Sequence, residues 1–213
     1  MTKTLTAIAL TTLLTTSPVF AAEPVKIGMV TTLSTKGGYL GEDIRDGFLL
    51  AIRQEDGRLG GIPVELRVED DGAQPEKGKE IADQFIERDK VRIMTGIVFS
   101  NVAMAVVPKV VRDGVFYISP NAGPSALAGK GCDKNYFNVA WQNDNLHEVV
   151  GQYATEKGHD KVYLLAPNYP AGKDALAGFK RYYSTIKDFS LDKTSGCSPS
   201  LTRNCRFDSR RCS

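Results

Sequence analysis

Apolar positions along the chain follow two alternating periods. Val25-Lys26-Ile27-Gly28-Met29-Val30-Thr31 is a short β-rich run bounded by Pro24, and it predicts a strand. Leu40, Ile44, Phe48, Ala51 and Ile52 then fall at helical spacing among charged residues. They predict a helix over 40–56 that the glycines at 57–61 bring to an end. Val64, Leu66 and Val68 alternate with Glu65, Arg67 and Glu69, the pattern of a strand with one wet face. Pro75 and Glu76 open a second helix with Ile81, Ala82, Phe85 and Ile86 on its inner side. A strand is predicted over 91–97. A helix follows over 102–112, with Ser100 placed to cap it and Pro108 placed to kink it. The run continues with a strand over 115–119, a connector, a helix over 146–157, a strand over 161–166 (K-V-Y-L-L-A) and a helix over 173–183.

Strict alternation of strand and helix is the mark of an α/β fold with a parallel, doubly wound sheet. In such sheets ligands bind beyond the carboxyl ends of the strands, near helix N-termini. The loops at 34–41, 99–101, 119–125 and 168–172 are therefore the places to look for function.

The two ends differ from this body. Residues 1–21 combine Lys3, a Thr-rich apolar stretch and the small-residue sequence Pro18-Val19-Phe20-Ala21-Ala22, which predicts a secretory signal peptide cleaved near Ala21. The apolar stretch is too short to span a bilayer. Residues 184–213 hold seven Ser, four Arg and three of the four Cys: Cys197, Cys205 and Cys212. Apolar residues are sparse there, and a segment so composed is expected to be disordered. Three readings stand for this tail: a disulfide-bonded extension, a metal site and a change of coding frame near codon 184. A metal site fits worst, since no His accompanies the Cys and their spacings match no zinc pattern. Cys132, alone in the body, reads as a small buried apolar side chain.

Charge follows the same division. The net +2 arises at the ends, and the body is slightly acidic. Nothing in it suggests a nucleic-acid partner.

The strand-end loops carry little catalytic chemistry. Gly37-Gly38-Tyr39-Leu40-Gly41 lacks the pattern of either a dinucleotide or a P-loop and reads as a turn. His147 and His159 are the only histidines, and neither belongs to a nucleophile-and-base pattern. Glu69-Asp70-Asp71 reads as a solvated strand end more readily than as a cation site. No metal or cofactor is expected. Ser100 is more informative. A hydroxyl at a helix N-terminus, beside free backbone N–H groups, suits a carboxylate, although a plain N-cap accounts for the same residue. Asn121-Ala122-Gly123 stands similarly at the next strand end.

Taken in order, seven segments resemble the periplasmic leucine/branched-chain amino-acid-binding family, the type I solute-binding proteins of ABC importers. They are V-K-I-G-M-V-T-T-L-S at the first strand, the glycine-spaced helix over 41–51, G-G-I-P-V-E-L at 60–66 and V-E-D-D-G-A-Q-P at 68–75. G-I-V-F-S at 96–100, Y-I-S-P-N-A-G at 117–123 and A-P-N-Y-P-A-G-K-D at 166–174 complete the series.

The resemblance implies two α/β lobes that close on a ligand and pass it to a membrane permease, with no catalytic activity. It assigns Ser100 to the ligand carboxylate. Asn121, Ala122 and Gly123 match the loop that holds the carboxylate and ammonium, and Tyr169 faces them from the second lobe. Tyr39 and Leu40 fall where the first loop lines the pocket. Two departures stand out. Gly123 replaces a hydroxyl-bearing residue, and Ala73 and Phe99 stand where some members carry a pair of Cys. The loop S-P-N-A-G-P-S at 119–125 resembles members that take aromatic or other carboxylates, so the resemblance implies a small organic carboxylate, aromatic before amino acid, bound by a monomer in the periplasm.

The resemblance also implies a division into signal peptide (1–21), first ligand-binding lobe (22–142), the start of a second, incomplete lobe (143–183) and a divergent tail (184–213). Family members run to roughly twice this length, so the tail reads as a truncation or frameshift that impairs closure. The alternatives are a ligand-sensing module on the same fold and, less favoured, a secreted α/β enzyme.

Overall fold

A computed structural model describes residues 23–183; the expected signal peptide and tail lie outside them. The core is a six-stranded sheet of β1 (Val25–Thr31), β2 (Arg58–Leu59), β3 (Ile62–Asp70), β4 (Ile93–Thr95), β5 (Phe116–Ser119) and β6 (Tyr136–Asn138), in the order β2-β3-β1-β4-β5-β6. Every pairing is parallel except the β2–β3 hairpin. The helices are α1 (Gly38–Gln54), α2 (Pro75–Glu87), α3 (Ser100–Arg112), the single turn α4 (Ser125–Ala128), α5 (Asn145–Glu156) and α6 (Pro170–Tyr182).

Register divides the sheet into two faces. Gly28, Met94, Tyr117 and Tyr136 lie side by side across four strands. That face packs on α2 and α3, where Met94, Val107, Val110 and Tyr117 are fully buried with Val30, Phe85 and Val102. Each such side chain contributes about 1.5–3 kcal/mol of transfer free energy. Tyr117 satisfies its hydroxyl by accepting from the Ile97 N–H at 3.2 Å, and it stacks on Tyr136 at 6.0 Å. On the opposite face α1 lies against β1 and β2. At its far side Phe116 and Phe137, a tilted ring pair 6.3 Å apart, stay 46% and 48% exposed.

The pattern-based expectations hold for most elements and fail at four places. β2 and β6 were not foreseen, because two- and three-residue strands carry too few alternating positions to register. Residues 161–166 form no strand. Val162 and Leu164 pack inward on Ala154, Phe179 and Tyr183, but no ladder partner lies beside them among the described residues. Ser100 is the first residue of α3 and not its cap, since Phe99 takes that position with extended backbone. Cys132 is half-buried and disulfide-bonded, not an isolated apolar side chain. α3 runs through Pro108 as one element. Among the described residues, no helix is long and apolar enough to cross a membrane.

α5 and α6 pack closely on each other because each carries a glycine at the crossing. A Cβ on Gly151 would overlap the Phe179 carbonyl, and one on Gly178 would overlap the Asp144 carbonyl. Arg181 on α6 holds the contact from outside, pairing with Asp144 at 2.8 Å and with Glu148. Burial opposes ionisation of Asp144. Hydrogen bonds from Arg181, Ser125 and Gln142 outweigh it and hold the carboxyl below its ordinary range.

Candidate functional site

The loops that follow β4 and β5 meet at one end of the sheet. Phe99, extended at φ −101° and ψ 136°, turns the chain so that α3 begins at Ser100 with its first backbone N–H groups unpaired within the helix. The next loop is pinned beside it. The Asn121 side-chain amide donates to the Val98 carbonyl at 2.8 Å, and the Ala122 N–H donates to the Ile97 carbonyl at 3.4 Å. Ser119 Oγ donates to the Ala122 carbonyl at 2.5 Å and braces the turn from within.

The segment after β6 then crosses over this loop. The Asn143 N–H donates to the Gly123 carbonyl at 2.8 Å, and the Trp141 carbonyl lies where a Cβ on residue 123 would be. Gly123 thus departs from the hydroxyl-bearing residue of the resemblance for a packing reason: any side chain there would drive Trp141 away.

Asn143, 7% exposed, is the hub of the arrangement. Its Nδ2 donates to Ser100 Oγ and to Asp174 Oδ2, each at 3.1 Å. Asp174 Oδ2 also accepts from the Ser125 N–H at 3.0 Å. Burial, reinforced by the neighbouring Asp144 charge, outweighs these hydrogen bonds and raises the Asp174 carboxyl above its ordinary range. Asn143 occupies one acceptor position of Ser100 Oγ, which leaves the hydroxyl proton available to a further acceptor.

The resulting cleft encloses about 170 Å³. Val98, Ser100, Asn121 and Ala122 form one wall; Trp141, Asn143, Leu146 and His147 form another; Tyr169 and Ala171, at the start of α6, complete it. Its floor combines a helix N-terminus, which favours negative charge, with apolar and aromatic surface. An anion with a flat or aliphatic body suits that combination.

Of the residues expected from sequence, Ser100, Asn121, Ala122 and Tyr169 are brought together here. Gly123 lies just behind the wall. Tyr39 and Leu40 are in the first turn of α1, with Tyr39 61% exposed, and neither lines the cleft. Trp141, Asn143, Leu146, His147 and Asp174 were missed. No pattern in the sequence marks two of them: His147 belongs to no nucleophile-and-base spacing, and Asp174 lies five residues beyond Tyr169 in the same segment. The single Trp and the Asn143-Asp144 pair just ahead of a helix were the available signals.

Asp70 and Asp71 serve the fold. Thr32 Oγ1 donates to Asp71 Oδ1 at 2.6 Å, while the Leu33 and Gly72 N–H groups donate to Asp70 Oδ1 at 2.8 and 2.9 Å. They tie the loop after β1 to the end of β3.

Comparison with known proteins gives a consistent picture. A family model described as "Periplasmic binding protein" matches residues 24–187. The Leu/Ile/Val-binding protein BraC3 of Rhizobium johnstonii is 29% identical over 182 residues, covering 84% of this chain and 48% of that protein. An ABC transporter substrate-binding protein from Sphaerobacter thermophilus is 36% identical, with a TM-score of 0.67, over 76% of this chain and 44% of the other. A solute-binding protein of an ABC transporter from R. palustris, in complex with benzoate, is 30% identical with a TM-score of 0.71, over 75% and 44%. The chain spans about half the length of the curated relatives it matches.

Proposed function

Given that the chain belongs to the periplasmic binding protein family, we propose that it is the carboxylate-capturing part of an exported solute-binding protein. That protein serves the membrane permease of an ABC-type importer. Residues 22–142 supply the first lobe and residues 143–183 the start of the second, following a cleaved signal peptide at 1–21. The protein acts as a monomer, by binding and release, and breaks no covalent bond.

The observation that carries this reading is the buried Ser100 hydroxyl at the N-terminus of α3. It accepts from Asn143 and faces Tyr169 across a small cleft. The ligand carboxylate accepts hydrogen bonds from the Ser100 hydroxyl and the first α3 amides, where the helix dipole adds to the attraction. Asn121, Ala122 and Gly123 shape that end. Trp141 and Leu146 accept the apolar body. The exposed face of Trp141 favours a ring, and the benzoate bound by the R. palustris relative supports an aromatic acid before a branched-chain amino acid.

Calorimetric titration tests this directly. Benzoate is expected to bind, benzamide to bind far more weakly, and Ser100→Ala to weaken benzoate about tenfold or more, as loss of a hydrogen bond to a charged group does. Tight leucine binding without benzoate binding would reverse the order of ligands. Equal affinity in the Ser100→Ala variant would remove Ser100 from the site.

A further inference from the structure

The cleft holds one imidazole, and its hydrogen bonding defines what it offers. His147 Nδ1 lies 3.0 Å from the Asn143 backbone carbonyl, which can only accept. The proton of the neutral ring therefore sits on Nδ1, and Nε2 across the ring keeps a bare lone pair. The same residue, Asn143, fills one acceptor position of Ser100 Oγ. The cleft thus presents a donor at one position and an acceptor at another, both bonded to one buried asparagine. Trp141 and Leu146, which line the same cleft, carry no charge.

Resting on the carboxylate reading above, we infer that His147 is a specificity-determining residue: its Nε2 accepts a hydrogen bond from a donor group on the ligand. The ligand class is therefore a small carboxylate that also carries a hydroxyl or an ammonium, in preference to an unsubstituted acid. His147 is itself exposed, so the ligand donor displaces water from Nε2 and the selection is that of one net hydrogen bond.

The test is titration calorimetry at pH 8 with benzoate, 3-hydroxybenzoate, 4-hydroxybenzoate and leucine. The native protein, His147→Phe and His147→Gln are compared, with folding checked by circular dichroism. A hydroxybenzoate is expected to bind about five- to tenfold more tightly than benzoate, the range of one net hydrogen bond. That ratio should fall to near one in His147→Phe and be partly retained in His147→Gln, which still carries an acceptor oxygen. If leucine is the ligand instead, its affinity should fall by the same factor in His147→Phe, which assigns the donor as an ammonium. An unchanged ratio in both variants, or no preference in the native protein, overturns the role of His147 and leaves the carboxylate site standing. Failure of all four acids to bind the native protein overturns the carboxylate reading itself.

Discussion

The sheet with α2 and α3 and the α5–α6 pair are written in the same alternation of apolar and polar residues, yet they end in different states. In the first, Met94, Val107 and Tyr117 reach zero exposure beneath two helices. In the second, only Ala154, Phe179 and Tyr183 form a small buried group, while Val149, Val150, Tyr163 and Leu165 stay largely exposed. The contrast is sharpest between β1 and residues 161–166. Both are short β-rich runs. β1 is paired on both sides, by β3 and β4, whereas 161–166 has no ladder partner among the described residues. An apolar pattern is a capacity to bury surface, and its use depends on what lies beside it.

Substitutions can test how independent the two regions are. Met94→Ala removes a fully buried side chain and should cost about 2–5 kcal/mol, lowering the melting temperature of the whole protein. A negligible shift would show that the sheet is not the stable region. Gly151→Leu should force α5 off α6 at a cost of about 1–3 kcal/mol or more. Limited proteolysis should then cut within 145–183 while β1 to β5 resist. Equal loss of both would show the two regions to be one cooperative unit.

Asp174→Ala removes the acceptor that links α6 to Ser125 and Asn143. About 1–3 kcal/mol is expected from the donors left unpaired, together with weaker carboxylate binding as Ser100 loses its brace. Differential scanning calorimetry alongside titration reads both effects.

Acid should act on the sheet through Asp70. Burial opposes its ionisation, but hydrogen bonds from Ser34, Leu33 and Gly72 and the nearby Lys77 hold its carboxyl at about 2, against an ordinary 3.8. The folded value is depressed, so this contribution is complete above the unfolded pKa and is lost as pH falls from about 4 towards 2. Asp70→Asn should flatten that part of the stability profile, measured by urea unfolding at each pH.

The smallest expected effect is in hydrogen exchange. Amides of 161–166 should exchange quickly, and those of β1 only with global unfolding. Comparable protection in both segments would mean that 161–166 is paired after all.

Much of the fold was legible because it rests on local regularities. The strand at 25–31 and the helix opened by Pro75 appear where periodicity and start signals placed them. Part of the candidate cleft follows from a related rule: loops at strand ends are where α/β sheets bind, and Ser100, Asn121 and Tyr169 lie on such loops and meet there. Tyr39 also follows a strand end, but α1 carries it into solvent, away from that cleft.

The amino-acid order by itself determined the alternation of elements, the parallel sheet and the positions of the loops, since these follow from short-range spacing of apolar residues and turn formers. Only the tertiary structure decided that 161–166 has no ladder partner among the described residues, that Gly123 must yield to Trp141, and that Asn143 would join Ser100, Asp174 and His147. Most of those outcomes depend on contacts between residues 18 to 43 positions apart, or on what lies beside a segment among the described residues. Hydrogen-bond partners so distant along the chain leave no periodic trace in it.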